Sequence, residues 1–339
     1  MHHQTDIVVI GAGPVGLFSV FQCGMLGFKC HVIDALEVIG GQCSALYPDK
    51  PIYDIPAYPT ITGASLVENL AEQIAPFNPV YHLNQQVVAL RQLDAHGQSW
   101  SVKTSKGVEI QARSIIVAAG VGAFGPNRPP LANIEEFEGS SVFYAIRSSA
   151  DMKGRRVVIA GGGDAAVDWA IALADVAQHV YVVHRRDKFR AMPESEARLR
   201  ALAEAGKVEL VVPYQLHALH GDNRQLAQVE VATLNGDVRT LSADTLLPFF
   251  GLSMNLGPIA EWGLGLERNH ILVDPATAAT NRPGVYAIGD IATYPHKLKL
   301  ILCGFAEAAQ AAHAIRHALQ PNEIFHFEYS TTKGVPLAA

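Results

Sequence analysis

The sequence predicts an α/β protein of two domains, the second inserted into a discontinuous first. Three observations lead there. A short strand, a glycine turn, a helix and a second strand follow one another over residues 6–34, and the same order returns over residues 156–183. A strand ending at Asp290 and an alanine-rich helix over about 304–319 then close the chain. The second unit has no room for that closing pair, so the pair is expected to complete the first. At roughly 150 residues per domain, a chain of 339 residues holds both.

Each element follows from local chemistry. Asp6 to Ile10 reads as a short strand whose last four residues are apolar and β-branched, the pattern of a buried strand, and it runs into Gly11-Ala12-Gly13-Pro14-Val15-Gly16. A helix-period segment continues to Leu26, Gly27 breaks it, and 29–33 forms the next strand with Asp34 at its end. In the repeat, 156–160 is the strand, Gly161-Gly162-Gly163-Asp164-Ala165-Ala166 the turn, 167–177 the helix and 180–183 the second strand. Residues 118–130, rich in Gly, Pro and Ala, and 248–258 read as crossings between domains. The expected division is therefore 1–124 with 248–339 for the outer domain and 125–247 for the inserted one, with 320–339 a tail.

The two glycine turns are dinucleotide fingerprints of the Rossmann-like kind. The first glycine permits a tight turn, the second lets backbone approach a pyrophosphate, and the third lets helix and strand pack closely. The phosphates then meet the positive helix N-terminus. One such hexapeptide is a weak signal, whereas two in strand–turn–helix–strand context are a strong one. Candidate contacts are Gly11, Gly13, Pro14 and Gly16 in the outer domain, and Gly161, Gly163, Asp164 and Ala165 in the inserted one.

The residue after the second strand sets the nucleotide. Asp34, 18 residues beyond Gly16, can accept two hydrogen bonds from a ribose diol and would repel a 2′-phosphate, which suits FAD or NAD. The equivalent place in the repeat holds His184, Arg185 and Arg186, with Arg190 one turn on, a set suited to a 2′-phosphate. Two charge-assisted hydrogen bonds of roughly 1.5–3 kcal/mol each would favour NADPH over NADH by about 100-fold or more. The sequence thus points to FAD in the outer domain, NADP(H) in the inserted one, and hydride transfer between them. Asp290 and the Gly40-Gly41-Gln42 turn are further flavin-contact candidates, and the last helix could aim its N-terminal dipole at the ring edge where charge accumulates.

Composition removes several classes. The chain has 32 acidic and 26 basic residues, net −6, with 49% hydrophobic and 17% charged. Without a Lys/Arg stripe it is not expected to bind nucleic acid. No segment offers about 18 uninterrupted apolar residues, so no membrane span is expected, and the setting is expected to be cytoplasmic. Cys23, Cys30, Cys43 and Cys303 form no Cys-x-x-Cys pair and no metal-ligand spacing, and read as reduced thiols.

Gly11–Gly16, Gly40-Gly41-Gln42, Ala45-Leu46-Tyr47-Pro48, the Gly161–Trp169 turn, His184-Arg185-Arg186-Asp187-Lys188-Phe189-Arg190 and Gly289-Asp290 together resemble the thioredoxin-reductase-like ferredoxin (or flavodoxin)–NADP⁺ reductases, over essentially the whole chain. The resemblance implies the thioredoxin-reductase arrangement of an NADPH domain inserted into an FAD domain. It implies that Asp34 holds the adenosine ribose, Val87 meets the adenine through its backbone, and Gln42 serves the flavin region. Tyr47 would stack on one face of the isoalloxazine, Phe124 would lie beside the cofactor, Asp290 would hold the ribityl chain and Thr331 would contact the ring edge. In this family the tail of one subunit covers the partner's flavin, which implies a homodimer with Tyr329 as the covering ring.

Rival activities on the same scaffold lose support in the residues. A thioredoxin reductase needs a redox-active thiol pair before the second glycine turn, and Phe143-Tyr144-Ala145-Ile146-Arg147-Ser148-Ser149 contains none. A flavin monooxygenase would carry Phe-x-Gly-x-x-x-His there, and Phe137-Glu138-Gly139 leads to Phe143 instead. An NADPH-driven quinone or dye reductase stays open. An acidic ferredoxin or flavodoxin would need a local basic patch, for which Lys297, Lys299, Lys333, Arg128 and Arg147 are the candidates.

Overall fold

The computed structural model describes residues 2–146, 148–323 and 330–335, with the backbone alone for 123–126, 252–254, 330 and 333. Two compact units divide the chain at Met1–Phe124 with Met254–Ala339, and at Gly125–Ser253. The return boundary lies six residues beyond the 247/248 point expected from the sequence. Backbone pairing explains the difference: Phe249 donates to the Ala160 carbonyl and Asn127 to that of Gly251, so residues through 251 stay tied to the second unit.

The first unit is built on a seven-stranded sheet. Its parallel part runs Val80–His82, Cys30–Ile33, His2–Ile10 and Glu109–Val117, with Val285–Ala287 also paired to Glu109–Val117. Trp100–Thr104 and Val87–Gln92 extend it antiparallel. The opening strand is four residues longer at its start than the β-branched run predicts, because His2, His3, Gln4 and Thr5 continue the ladder to Glu109–Ala112. Alternation along it feeds two cores. Ile7 and Val9 face the helices Pro14–Met25, Gly63–Ile74 and Ile301–Leu319, while Val8 and Ile10 face Trp100, Leu256, Ile259 and Trp262. The expected closing strand and helix thus complete this unit, and the helix begins at Ile301, three residues before Gly304.

The second unit holds a four-stranded parallel sheet in the order Glu209–Val211, His179–Val183, Arg156–Ala160, Thr245–Pro248. Val157 and Ile159 pack on the helix Asp164–Leu173. Val158 and Ala160 face an antiparallel meander, Gln215–Asp222, Gln225–Ala232 and Val238–Ser242. The helix starts at Asp164, not Val167, because the glycine turn is already its first-turn lead-in. Among the described residues no helix is long and apolar enough to cross a membrane.

Candidate cofactor site

A pocket of about 440 Å³ opens in the first unit at the carboxyl ends of three parallel strands, next to Ile10, Ile33 and Ala118. Open parallel sheets place ligands at this position. Of the residues named from the sequence, Gly11, Gly13, Pro14, Asp34, Gly41, Gln42, Tyr47, Val87 and Asp290 all line it. These come from segments separated by up to 279 positions in the chain.

The glycines of the turn differ in what surrounds them. Gly11 has φ +113°, and a Cβ there would sit 2.3 Å from the Ala118 carbonyl oxygen. Gly16 lies outside the pocket lining. A Cβ on it would meet the Gly11 oxygen at 2.0 Å, so it serves the close approach of helix to turn. A Cβ on Gly13 would be 4.0 Å from the Cα of Gly41, so these two glycines face each other across a slot that side chains would narrow. Pro14 opens the helix Pro14–Met25 behind Gly13, which offers no side-chain cap. The first-turn amides are thereby left for a ligand anion.

Asp34 is already engaged. Its Oδ2 accepts from the Ala12 amide at 2.6 Å and its Oδ1 from the Leu36 amide at 2.8 Å. Burial raises its carboxyl above the usual range although both amides favour the ionised form. Each oxygen keeps a second lone pair for a ribose hydroxyl. At the other end of the pocket, burial raises the Tyr47 hydroxyl, and the neighbouring Cys43 and Asp290 add to the effect. Burial pushes the Cys43 thiol up to about 11. The thiol beside the pocket is therefore protonated near neutrality and a poor nucleophile. All four cysteines are free, and the hydrogen bond with Cys23, followed by burial, raises the Cys30 thiol as well.

Sequence reasoning missed several wall residues. Leu256, Ile259 and Trp262 form an apolar side of the pocket, and the Trp262 indole Nε1 is buried without a partner among the described residues. Val15 seats Gly289 and Gly304: a Cβ on Gly304 would lie 2.3 Å from its Cγ2. That packing joins the start of the last helix to the phosphate turn, and Ile301 accordingly lines the pocket. The uncapped helix start, the Gly13–Gly41 slot and the orphaned indole N–H fit an extended dinucleotide such as FAD. Phe124 lies on the strand Ala123–Pro126, whose side chains are outside the described ones. Tyr329 lies outside the described residues, and Thr331 sits exposed on the short helix Ser330–Lys333.

The second glycine turn is also open. Gly163 caps the helix Asp164–Leu173 without a side-chain bond, and a Cβ on it would touch nothing within 4 Å. Asp164 and Ala165 are exposed, and Asp164 Oδ1 accepts from the Met192 amide at 2.9 Å. The Arg190 amide donates to the Gly162 carbonyl at 2.6 Å, which fixes the basic loop against the turn. A Cβ on Gly161 would be 2.7 Å from the Phe249 carbonyl oxygen. Arg185, Arg186 and Arg190 are exposed, with no acidic partner among the described residues. His184 is buried beneath Gly162, its ring 5.3 Å from that of Phe189, and its Nε2 has no partner among the described residues. Burial, with Arg190 nearby, lowers its pKa and favours the neutral ring.

The proposed basic patch needs correction. The Lys297 side chain is only 5% exposed and is ion-paired with Glu307, so it offers no charge to a docking partner. Arg128 is exposed but bound to Glu135 and Glu138. Lys299 lines the pocket and shares a 2.6 Å contact with His270 Nε2. Arg147 and the side chain of Lys333 lie outside the described set.

Comparison with known proteins agrees with this geometry. The pyridine nucleotide-disulphide oxidoreductase family profile matches residues 5–318. A ferredoxin–NADP reductase of Paramagnetospirillum magneticum is 63% identical over 334 residues, covering 98% of each chain. One of Rhodospirillum rubrum is 61% identical, covering 98% of this chain and 97% of its own. Among solved structures, Lactococcus lactis thioredoxin reductase aligns with a TM-score of 0.80 at 25% identity, covering 93% of this chain and 99% of that one. The thioredoxin reductase of T. acidophilum shares the fold, with a TM-score of 0.79 at 20% identity. The chain therefore belongs to the pyridine nucleotide-disulphide oxidoreductase family, in the group formed by these ferredoxin–NADP reductases.

Proposed function

We propose that this chain is an FAD-dependent ferredoxin (or flavodoxin)–NADP⁺ reductase in which the first unit holds FAD and the second holds NADP(H). The observation that carries it is the convergence of Gly11, Gly13, Gly41, Tyr47 and Asp290 on one pocket whose neighbouring thiol, Cys43, is buried, free and without a thiol partner. When bound, the two cofactors supply hydride exchange and stepwise release of single electrons. The chain's residues bind, orient and exclude water. The turn amides hold the FAD pyrophosphate, Asp34 its adenosine ribose and Val87 the adenine. Gln42, Tyr47, Phe124 and Asp290 hold the flavin part. Gly161, Gly163, Asp164 and Ala165 receive the NADP(H) pyrophosphate, Arg185, Arg186 and Arg190 its 2′-phosphate, and His184 supports the turn from below.

The proposal includes a homodimer in which Tyr329 and Thr331 of one copy's tail reach the other's flavin. Leu298, Leu300 and Leu302 expose apolar side chains beside the pocket-lining Lys299 and Ile301, a face that such a tail would cover. It also includes a cytoplasmic setting, where thiols such as Cys23 and Cys30 stay reduced. To test the reading, the purified protein's cofactor is released and identified, and ferredoxin reduction is compared with NADPH and NADH. FAD with an NADPH-specific ferredoxin activity supports it. Absence of FAD, or brisk quinone reduction without ferredoxin activity, overturns it.

A further inference from the structure

Behind the pocket lies a buried charge that cofactor binding, as set out above, does not use. Glu307, on the helix Ile301–Leu319, is 3% exposed. Its Oε2 accepts from the Gly289 amide at 2.8 Å. Its Oε1 accepts from the Tyr294 hydroxyl at 2.7 Å and from the Lys297 ammonium. Burial and Glu307 itself raise the Tyr294 hydroxyl, which therefore remains a donor. The Lys297 ammonium also lies 5.3 Å from the Tyr294 ring centroid. Three donors from residues 289–297 thus converge on one carboxylate of the following helix.

A buried ion pair is a poor device for stability alone, because desolvation offsets most of its attraction and apolar replacements do as well. What this one does is hold an amide. Gly289 has φ +73°, leaves the Val285–Ala287 strand, and delivers Asp290 to the pocket. The amide of Gly289 has its partner in Glu307, so the direction of the turn depends on that carboxylate. Tyr294 and Lys297 lie on the chain that leads from Asp290 to Lys299 and Ile301, both pocket residues. The carboxylate therefore ties the ribityl-side turn and the helix start into one rigid piece.

We infer that Glu307 is a positioning residue for the flavin site: it sets Asp290 through the Gly289 amide, with Lys297 and Tyr294 orienting and neutralising its carboxylate. The inference rests on FAD occupying the pocket beside Asp290.

The test is a double-mutant cycle on the FAD dissociation constant, read from fluorescence of FAD released on dilution of the holoprotein. Glu307→Ala should weaken FAD binding on the order of 10- to 100-fold, the cost of removing a hydrogen bond to a charged group. In an Asp290→Ala background the same change should weaken it less than about threefold further, because the group it positions is gone. Lys297→Met combined with Glu307→Gln keeps an acceptor for Gly289 and removes both charges, and should restore affinity to within about threefold of the parent. This second variant also serves if Glu307→Ala fails to fold. Additive losses in the cycle, or a Lys297→Met/Glu307→Gln protein as weak as Glu307→Ala, would overturn the role. A parent protein that carries no FAD overturns instead the reading on which it rests.

Discussion

Replacing Arg185 and Arg186 together by alanine should leave a protein that barely distinguishes NADPH from NADH. Both guanidinium groups are exposed and have no acidic partner among the described residues, so nothing in the second unit competes for them. The hydrogen bond from the Arg190 amide to the Gly162 carbonyl at 2.6 Å keeps the loop at the mouth of the turn. A charge-assisted hydrogen bond contributes roughly 1.5–3 kcal/mol, and exposure argues for the low end. Two such bonds at about 1.5 kcal/mol each make a factor of about 100 in kcat/KM for NADPH. The assay is steady-state reduction of a small dye at varied NADPH and NADH, repeated at low and high salt. NADH should change by less than about threefold. The NADPH constant of the parent should weaken with salt as the screening length falls from about 10 Å at 0.1 M to about 3 Å at 1 M. Equal losses for both coenzymes would return the loop to the status of solvated surface.

Further outcomes follow from the same geometry. Gly13→Ala, at φ −69° with open space toward Gly41, should leave folding within about 1 kcal/mol of the parent yet impair FAD retention. Gly16→Ala, with its Cβ 2.0 Å from the Gly11 oxygen, should cost at least about 2 kcal/mol in denaturant unfolding. His31 Nδ1 and His82 Nε2 share a buried 3.0 Å hydrogen bond, and burial lowers His31 to about 4. A base lowered on folding contributes stability that is present above its unfolded value near 6.5 and lost as pH falls toward 4. Unfolding free energy should thus drop on the order of 1–3 kcal/mol between pH 7 and 4 on this account, and His31→Gln should flatten that slope in chemical denaturation. Tyr329→Ser should alter the transient kinetics of flavin reduction by NADPH, and unchanged traces would remove Tyr329 from the mechanism.

Much of this was legible because it is local. The strand Arg156–Ala160 sits where its β-branched run puts it, and Asp34 sits 18 residues after Gly16 as the fingerprint requires. The closing strand Val285–Ala287 could be assigned to the first unit because the second had no room for it. What the sequence hid depends on tertiary partners. The wall of Leu256, Ile259 and Trp262 is a short 3-10 turn with no periodicity to betray it. Lys297 reads as a surface cation until Glu307, ten residues on and across a helix start, neutralises it. Val15 looks like any helix residue, and only the missing side chains of Gly289 and Gly304 reveal what it fits. The second domain boundary moved for a related reason: backbone bonds from Asn127 and Phe249, invisible in composition, hold the chain in the inserted unit a few residues longer.

In the proposed reaction, electrons leave the flavin directly to a one-electron carrier, with no thiol relay. This direct transfer is tested most directly by NADPH-driven, ferredoxin-dependent cytochrome c reduction before and after alkylation of the native protein with iodoacetamide. Cys303 is the half-buried thiol within reach of the reagent, while Cys23, Cys30 and Cys43 are buried, and with no relay among the four, full ferredoxin-dependent activity is expected after alkylation. Loss of that activity in step with thiol modification, while NADPH still reduces the flavin, would contradict it.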